Sequence, residues 1–435
     1  MAIKSYNSKA DYNAAVKPTT ESQVSMIETT REIIVDGVNV VTTQPTVGDV
    51  VFLDDQNKVI YVKGGEWIQK ANIPAAWTHV GYVYFRKGKQ VGVVHKTGAD
   101  VKWLDVCQYA ITAISSTTLA IKLRMSPDYA VDTTVDVELT STNIDATSAA
   151  EISAAVAAKA TAVGDTKAWW AYLADAQGNK VDSDGTQIII QCDTCVDYRF
   201  YIVSATGCTI SHITWGDMPE NNNAGFRASG RASDQRIMND ARGAAYYSTN
   251  GATPSADVPL NAAGTIVKKS EFDSSPYCKL LRDTYGTYQN YIHEEYRVVY
   301  PQHLGAFSLL DGAAMTEKYA RMTAPTKAGG EKYKYPALYY GYNQSFGVDG
   351  LDFGDWHLPG VLEGCYLMDD VTLAALSPSI SKMGTTAINN STHRWFAQRY
   401  SVYSAWYFNG SNGYLGSSYV YYSIRCQAVA LLEID

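Results

Sequence analysis

The pattern of apolar and polar positions changes character several times along the chain. From residue 33 to 96 the apolar runs are short and separated by turn chemistry, which predicts strands. Residues 33–35 and 38–41 flank Asp36-Gly37, a strong hairpin signal because both positions tolerate a positive φ. Residues 50–53 and 59–62 flank Asp54-Asp55-Gln56-Asn57-Lys58, and Gly64-Gly65 turns the chain into Trp67-Ile68. Residues 80–86 and 90–95 then bracket Lys87-Gly88-Lys89. Pro74 falls between hairpins, where no ladder hydrogen bond is lost. Strands of this length and spacing predict a small sandwich or barrel. Ahead of them, Ser8 and Asp11 can cap a short helix ended by Pro18. Two readings of that helix stand: an anchor ordered on a partner, and a frayed terminus.

Between residues 100 and 215 the pattern is mixed. Leu119, Ile121 and Leu123 alternate, as do Val135, Val137 and Leu139, each matching a half-buried strand. Residues 143–164 read as a helix, with Ser148 and Glu151 as a capping box, Ile152, Val156 and Val163 on one side, and Gly164 as the stop. Strands return at 188–191 and 198–203, with Trp169 and Trp170 as core anchors. After Trp215-Gly216 come an Asn-, Gly- and Ala-rich stretch and a turn-rich loop with Pro254 and Pro259. A helix is expected within 271–296, where Leu280, Leu281, Tyr285, Tyr288 and Ile292 keep helical spacing.

The end of the chain is compositionally distinct. Residues 391–423 hold seven Tyr, seven Ser, three Gly and two Asn, a mixture that resembles an antibody contact surface more than a core. In a regular strand Tyr419, Tyr421 and Ser423 share one face, and Val420, Tyr422 and Ile424 share the other, inner one. The expected outward, ligand-binding positions are Arg399, Tyr400, Tyr403, Tyr407, Asn409, Tyr414, Tyr419 and Tyr421, with Trp395, Trp406 and Ile424 in the core. A register slip of one residue would exchange the two sets.

Composition narrows the function classes. At 435 residues the chain should hold two to four domains, and 18% charged residues favour a β-rich fold. A net charge of −8 without a Lys/Arg run argues against nucleic-acid binding. The polar opening MAIKSYNSKADYNAAVKP carries no secretory signal pattern, and no apolar run is long enough for membrane insertion. Seven scattered Cys fit folding in a reducing cytoplasm.

No catalytic residue, metal site or cofactor is expected. Cys192-Asp193-Thr194-Cys195 is a lone CxxC without further ligands, and the seven His form no HExxH. Asp54-Asp55 sits in a turn, and Asp369-Asp370 can cap a helix. The segment Gly225–Gly230, GFRASG, follows an Asn loop rather than a strand, so it makes a poor phosphate cradle.

The sharpest motif is Gly354-Asp355-Trp356-His357-Leu358-Pro359-Gly360, followed by Glu363 and a helix. With Tyr335-Pro336-Ala337-Leu338-Tyr339-Tyr340, Trp395, Ala405-Trp406, Gly410, Gly413 and Ile424-Arg425-Cys426, it resembles the C-type-lectin-like fold. The branch is that of formylglycine-generating-type domains and the variable proteins of diversity-generating retroelements. The resemblance covers about residues 216–435 and implies a display surface. The tripeptides Glu-Pro-Asn and Gln-Pro-Asp are missing, so calcium-dependent sugar binding is not implied. Cys278, Cys365 and Cys426 stand apart, unlike the close cysteine pair of the formylglycine-generating enzymes. The front half, through Lys17-Pro18-Thr19-Thr20-Glu21-Ser22, Asp36-Gly37-Val38-Asn39-Val40 and Pro45-Thr46-Val47-Gly48-Asp49-Val50, is similar to the openings of virion fibre proteins of crAss-like and related Bacteroidales phages.

These readings give a β-rich, multidomain α+β protein: a virion anchor segment at 1–32, a small β domain at 33–99, a mixed α/β domain at 100–215 and a C-type-lectin-like receptor-binding domain at 216–435. The expected function is that of a non-enzymatic phage head or tail fibre, folded in the host cytoplasm and carried on the virion. Expected partners are a homotrimer, other virion proteins through the N-terminus, and a host surface glycan or protein through the C-terminal domain. The alternatives are a purely structural capsid or tail decoration and a formylglycine-generating-type enzyme.

Overall fold

The computed structural model describes residues 3–17, 23–123, 125, 133–194, 204–212, 311–345, 351, 355–385, 388–389, 391–401 and 404–434, with isolated positions between 273 and 286. It is a β-rich α+β protein. At the front, β1 (Lys4–Tyr6) pairs in parallel with β2 (Val24–Ile27), which continues into β3 (Glu32–Val35) and β4 (Val38–Asn39). Asp36 and Gly37 take φ of 46° and 83°, the positive values their turn requires. Helix α1 (Lys9–Ala14) has the expected Ser8–Asp11 capping box but ends at Ala14; Pro18 lies outside the described residues.

The central feature is a ten-stranded sheet. Its front strands are β5 (Val41–Thr42), β6 (Val50–Leu53), β7 (Val59–Val62), β8 (Thr78–Lys87) and β9 (Gln90–Lys102). Beyond β9 lie strands from the far end of the chain: β19 (Trp356–His357), β20 (Arg394–Ser401), β21 (Ser404–Asn409), β22 (Tyr414–Tyr419) and β23 (Ser423–Glu433). Strand β23 runs antiparallel to β9 from Ser423↔Lys102 to Glu433↔Gln90, and β5 and β22 are the two ends of the path. The expected division at residue 99 falls inside β9, on the stretch that pairs with β23. The edge of β9 that the 33–99 strands leave open is completed by β23.

Between these halves the chain builds two smaller sheets. One has the order β13 (Trp169–Ala174), β14 (Gln187–Cys192), β10 (Cys107–Ile114), β16 (Cys208–His212), and the other β12 (Thr133–Glu138), β11 (Thr118–Leu123), β15 (Ser204–Thr206). Helix α2 (Ala146–Ala162) buries Ile152 and Val156 against them, and Gly164 follows at φ 74°. Its cap is Asp145, whose Oδ1 accepts the Ser148 N–H at 2.9 Å, and not the expected Ser148–Glu151 box; Ser148 is buried and Glu151 accepts the Thr140 N–H at 3.1 Å. The strand expected at 198–203 and most of the helix expected at 271–296 lie outside the described residues.

From residue 311 onward the described residues form the helices α3 (Asp311–Tyr319), α4 (Pro336–Tyr342), α5 (Val361–Leu367) and α6 (Asp370–Met383), with the small hairpin β17 (Thr323–Pro325) and β18 (Glu331–Tyr333) between α3 and α4. Asp369 caps α6 by accepting the Thr372 N–H at 3.1 Å. Helices α5 and α6 pack Cys365, Leu367, Leu376 and Met383 on one face of the large sheet, with Phe52, Tyr84, Phe396, Trp406 and Val429. On the other face Met315 and Tyr319 of α3 and Leu338 of α4 join one core with Ile111, Ile121 and Ile152 of the middle segment and Trp395 and Cys426 of the last strands. The expected boundary at residue 216 thus also runs through a shared core. Burial of this apolar surface, rather than sequence adjacency, holds front, middle and back together.

Candidate binding face

Trp356-His357-Leu358-Pro359 is scaffold, and its chemistry explains why. Trp356 is fully buried, its Nε1–H donates to the Leu351 carbonyl at 3.1 Å, and its backbone pairs with Ala430. His357 Nε2 lies 2.9 Å from Glu363 Oε1, while Glu363 Oε2 accepts the Gly360 N–H at 2.8 Å and so caps α5. The Val361 N–H goes to Gln398 Oε1 at 2.8 Å, and the Pro359 carbonyl accepts the Ala397 N–H at 2.9 Å. The motif therefore clamps α5 to β20, with His357 Nδ1 and Gln398 Nε2 left buried without a hydrogen-bond partner. Burial together with the nearby Glu363 carboxylate pushes the Tyr84 phenol well above its ordinary range.

Arg399 is 2% exposed, so its outward assignment is corrected. Strand β20 lies inside the sheet with α5 on one face and α3 on the other, so both sets of its side chains are covered. Tyr400 is half-buried, edge-on to Trp406 at 4.9 Å, and packs on the core. Tyr403 lies outside the described residues. Tyr407 leans on Trp395 at 6.3 Å and on His393 at 5.4 Å; burial raises its phenol pKa, against a lowering hydrogen bond from Asn409. Asn409 shapes the β21–β22 turn, with its Oδ1 accepting the Ser411 N–H at 2.9 Å, and Gly413 takes φ 75°. Tyr414 is half-buried. Trp395 and Trp406 are fully buried, and Ile424 packs at the core margin.

Tyr419 and Tyr421 form the part of the set that converges. Their rings stack at 5.8 Å and 12°, and both approach Tyr422, at 6.0 and 4.5 Å. Tyr422 is the most exposed ring of the three, at 46%, which corrects its inner assignment. Alternation fails here because β22 and β23 are separate strands. The Tyr422 N–H closes a turn on the Tyr419 carbonyl at 3.0 Å. Val420 is drawn inward at the tip, its carbonyl accepting the Trp103 and Leu104 N–H groups at 2.9 and 3.1 Å.

The same 103–105 segment reaches a second aromatic pair missed in the sequence. The Asp105 N–H donates to the Lys334 carbonyl at 3.1 Å, next to the hairpin whose exposed Tyr333 stacks on Tyr339 at 3.4 Å and 15°. Around it Lys102 and Lys332 both pair with Asp105, at 2.9 and 3.0 Å. One signal could have marked Tyr422: three Tyr in the four positions 419–422 cannot all enter one core face.

The thiols stand elsewhere. Cys365 and Cys426 are fully buried in separate cores, and burial raises both thiol pKa values, so neither is a ready nucleophile. Cys278 and Cys195 lie outside the described residues, and Cys192 is buried on β14. Among the described residues no three His, Cys, Asp or Glu side chains converge on a possible metal position, and no helix is long and apolar enough to cross a membrane. No protein-family model, curated protein or solved structure matches the chain.

Proposed function

We propose that this is a phage virion fibre or appendage protein whose C-terminal half, of C-type-lectin-like type, presents the tyrosine turn 419–422 to the host surface. The observation that carries this reading is the turn itself. Three phenol rings are held against one another on backbone that is anchored twice through Val420, with Tyr422 nearly half exposed. Tyr presents contact area and a hydroxyl at low entropic cost, and pre-ordering the rings reduces what binding must still fix. The buried Trp356-Leu358-Pro359 passage into α5, with Trp406 on the α5 face of the sheet and Trp395 on the other, supports the resemblance read in the sequence. The front strands would carry the virion attachment, and trimerisation would multiply weak contacts by avidity.

The test is retention of the purified chain on intact Bacteroidales cells to which a particle carrying it adsorbs. Tyr421→Ala combined with Tyr422→Ala should reduce retention roughly tenfold, the loss of ~1.4 kcal/mol, with the thermal unfolding midpoint preserved. Retention equal to the wild type would overturn the proposal and favour a purely structural decoration.

A further inference from the structure

A recess lies at the other end of the large sheet, beside β5, in a cleft of about 380 Å³. Its walls are the loop 42–49 and the turn 63–67, and Ala375 of α6 closes the base. Trp67 stands at the rim with 36% of its surface exposed, whereas Trp103, Trp356, Trp395 and Trp406 are fully buried. The Lys63 ammonium lies 6.0 Å from the centroid of the Trp67 indole.

Buried hydrogen bonds fix both walls. Asp49, 6% exposed, accepts the Thr46 N–H at 2.8 Å with one carboxylate oxygen and the Gly64 N–H at 3.0 Å with the other. From α6, Ser379 Oγ donates to the Gly48 carbonyl at 2.6 Å and accepts the Gly65 N–H at 2.8 Å. The walls touch so closely that a Cβ on Gly64 would sit 1.9 Å from the Gly48 carbonyl oxygen. The recess therefore exists before any ligand arrives.

We propose that this recess binds a saccharide, with one pyranose ring stacked on Trp67 and its hydroxyls held by Lys63 and Gln44. A sugar ring has an apolar C–H face and a polar edge, and the cleft offers the matching pair: one exposed indole and a polar rim. Gln44 Oε1 accepts from Arg86 Nη2 at 2.9 Å, which leaves the side-chain amide N–H groups as donors. The lining mixes polar groups with Val47, Ala375 and the Trp67 indole, which matches a ligand that is itself part apolar and part polar. A single ammonium without an array of backbone donors does not make a phosphate cradle. This site is independent of the tyrosine turn.

The experiment titrates the full-length protein, with ¹⁵N-labelled tryptophan, against trisaccharides of glucose, galactose, N-acetylglucosamine and glucuronate. At least one should shift the Trp67 indole N–H saturably. Trp67→Ala should weaken that binding roughly tenfold, or ~1.4 kcal/mol, and Trp67→Phe should retain part of it. Tyr421→Ala with Tyr422→Ala should leave it unchanged. Because Trp67 is exposed, an unaltered thermal unfolding midpoint separates lost binding from lost folding. The proposal is overturned if none of the four sugars perturbs the Trp67 indole, or if binding persists undiminished in Trp67→Ala.

Discussion

Trp103 and Trp395 hold each other's strands in place: Trp103 Nε1–H donates to the Phe396 carbonyl at 2.8 Å, and Trp395 Nε1–H donates to the Val101 carbonyl at 3.0 Å. Both indoles are fully buried, and they join the front of the chain to its back across the β9–β23–β20 seam. Trp395→Phe keeps most of the ring volume but strands the Val101 carbonyl. It should cost about 1–3 kcal/mol of stability, read from urea unfolding. Because one sheet spans both halves, fluorescence and circular dichroism should report the same transition. Two separated transitions would contradict the shared sheet.

Burial divides the tyrosine-rich end into residues that support it and residues that can touch a partner. Arg399, 2% exposed and close enough to Tyr335 to bear on its ionisation, is of the first kind. Arg399→Ala should lower stability by about 2–5 kcal/mol, through the lost packing of its buried side chain and the cavity left behind. Tyr422→Ala should stay within about 0.5 kcal/mol of the wild type. Thermal unfolding of the two variants decides between this division and an exposed Arg399.

The legible parts of the fold were those with local causes. The Asp36-Gly37 hairpin and the pairing of residues 50–53 with 59–62 follow from turn chemistry and strand-length apolar runs, and both stand in the structure. The β9–β23 seam has no local cause, since Gln427 and Gly98 meet only when the whole chain has folded. Alternation gave the wrong faces at Arg399, where both sides of β20 are covered, and at Tyr422, where Trp103 and Leu104 pull Val420 into a turn. At α2 the spacing of Ser148 and Glu151 fits a capping box, yet Asp145 supplies the cap, because spacing does not say which carboxylate lies near the free N–H. Tyr333 stacks on Tyr339 across a hairpin and a helix, a relationship that no period in the sequence marks.

Acid should weaken the fold through His79. Burial first, and the Lys96 charge second, hold its pKa down at about 4, against an ordinary value of 6.5. As pH falls from about 6.5 to about 4, the unfolded chain takes up a proton that the folded chain refuses, so stability present above that window is lost across it. At about 1.4 kcal/mol per pKa unit, the loss is on the order of 3 kcal/mol. His95, also lowered by burial, acts with the same sign. The imidazole of His79 lies 5.4 Å from Phe52 and 5.0 Å from Tyr82, so His79→Phe is a fair replacement. Urea midpoints between about pH 7.5 and about pH 5 should change less in that variant than in the wild type. An equal change would assign the acid sensitivity elsewhere.

The clasp between α6 and the front loops separates support from contact at the Trp67 recess. Ser379 is fully buried and its hydroxyl serves both the Gly48 carbonyl and the Gly65 N–H. Ser379→Ala leaves both groups without that partner and should cost about 1–3 kcal/mol. Gly64→Ala should cost more, because its methyl would meet backbone oxygen at 1.9 Å and the wall rather than a side chain must move. Both changes should lower the thermal midpoint, whereas Trp67→Ala, at an exposed rim, should not. Equal midpoints for Gly64→Ala and the wild type would mean that the two walls are not in the contact described, and the recess would lose its claim to be preformed.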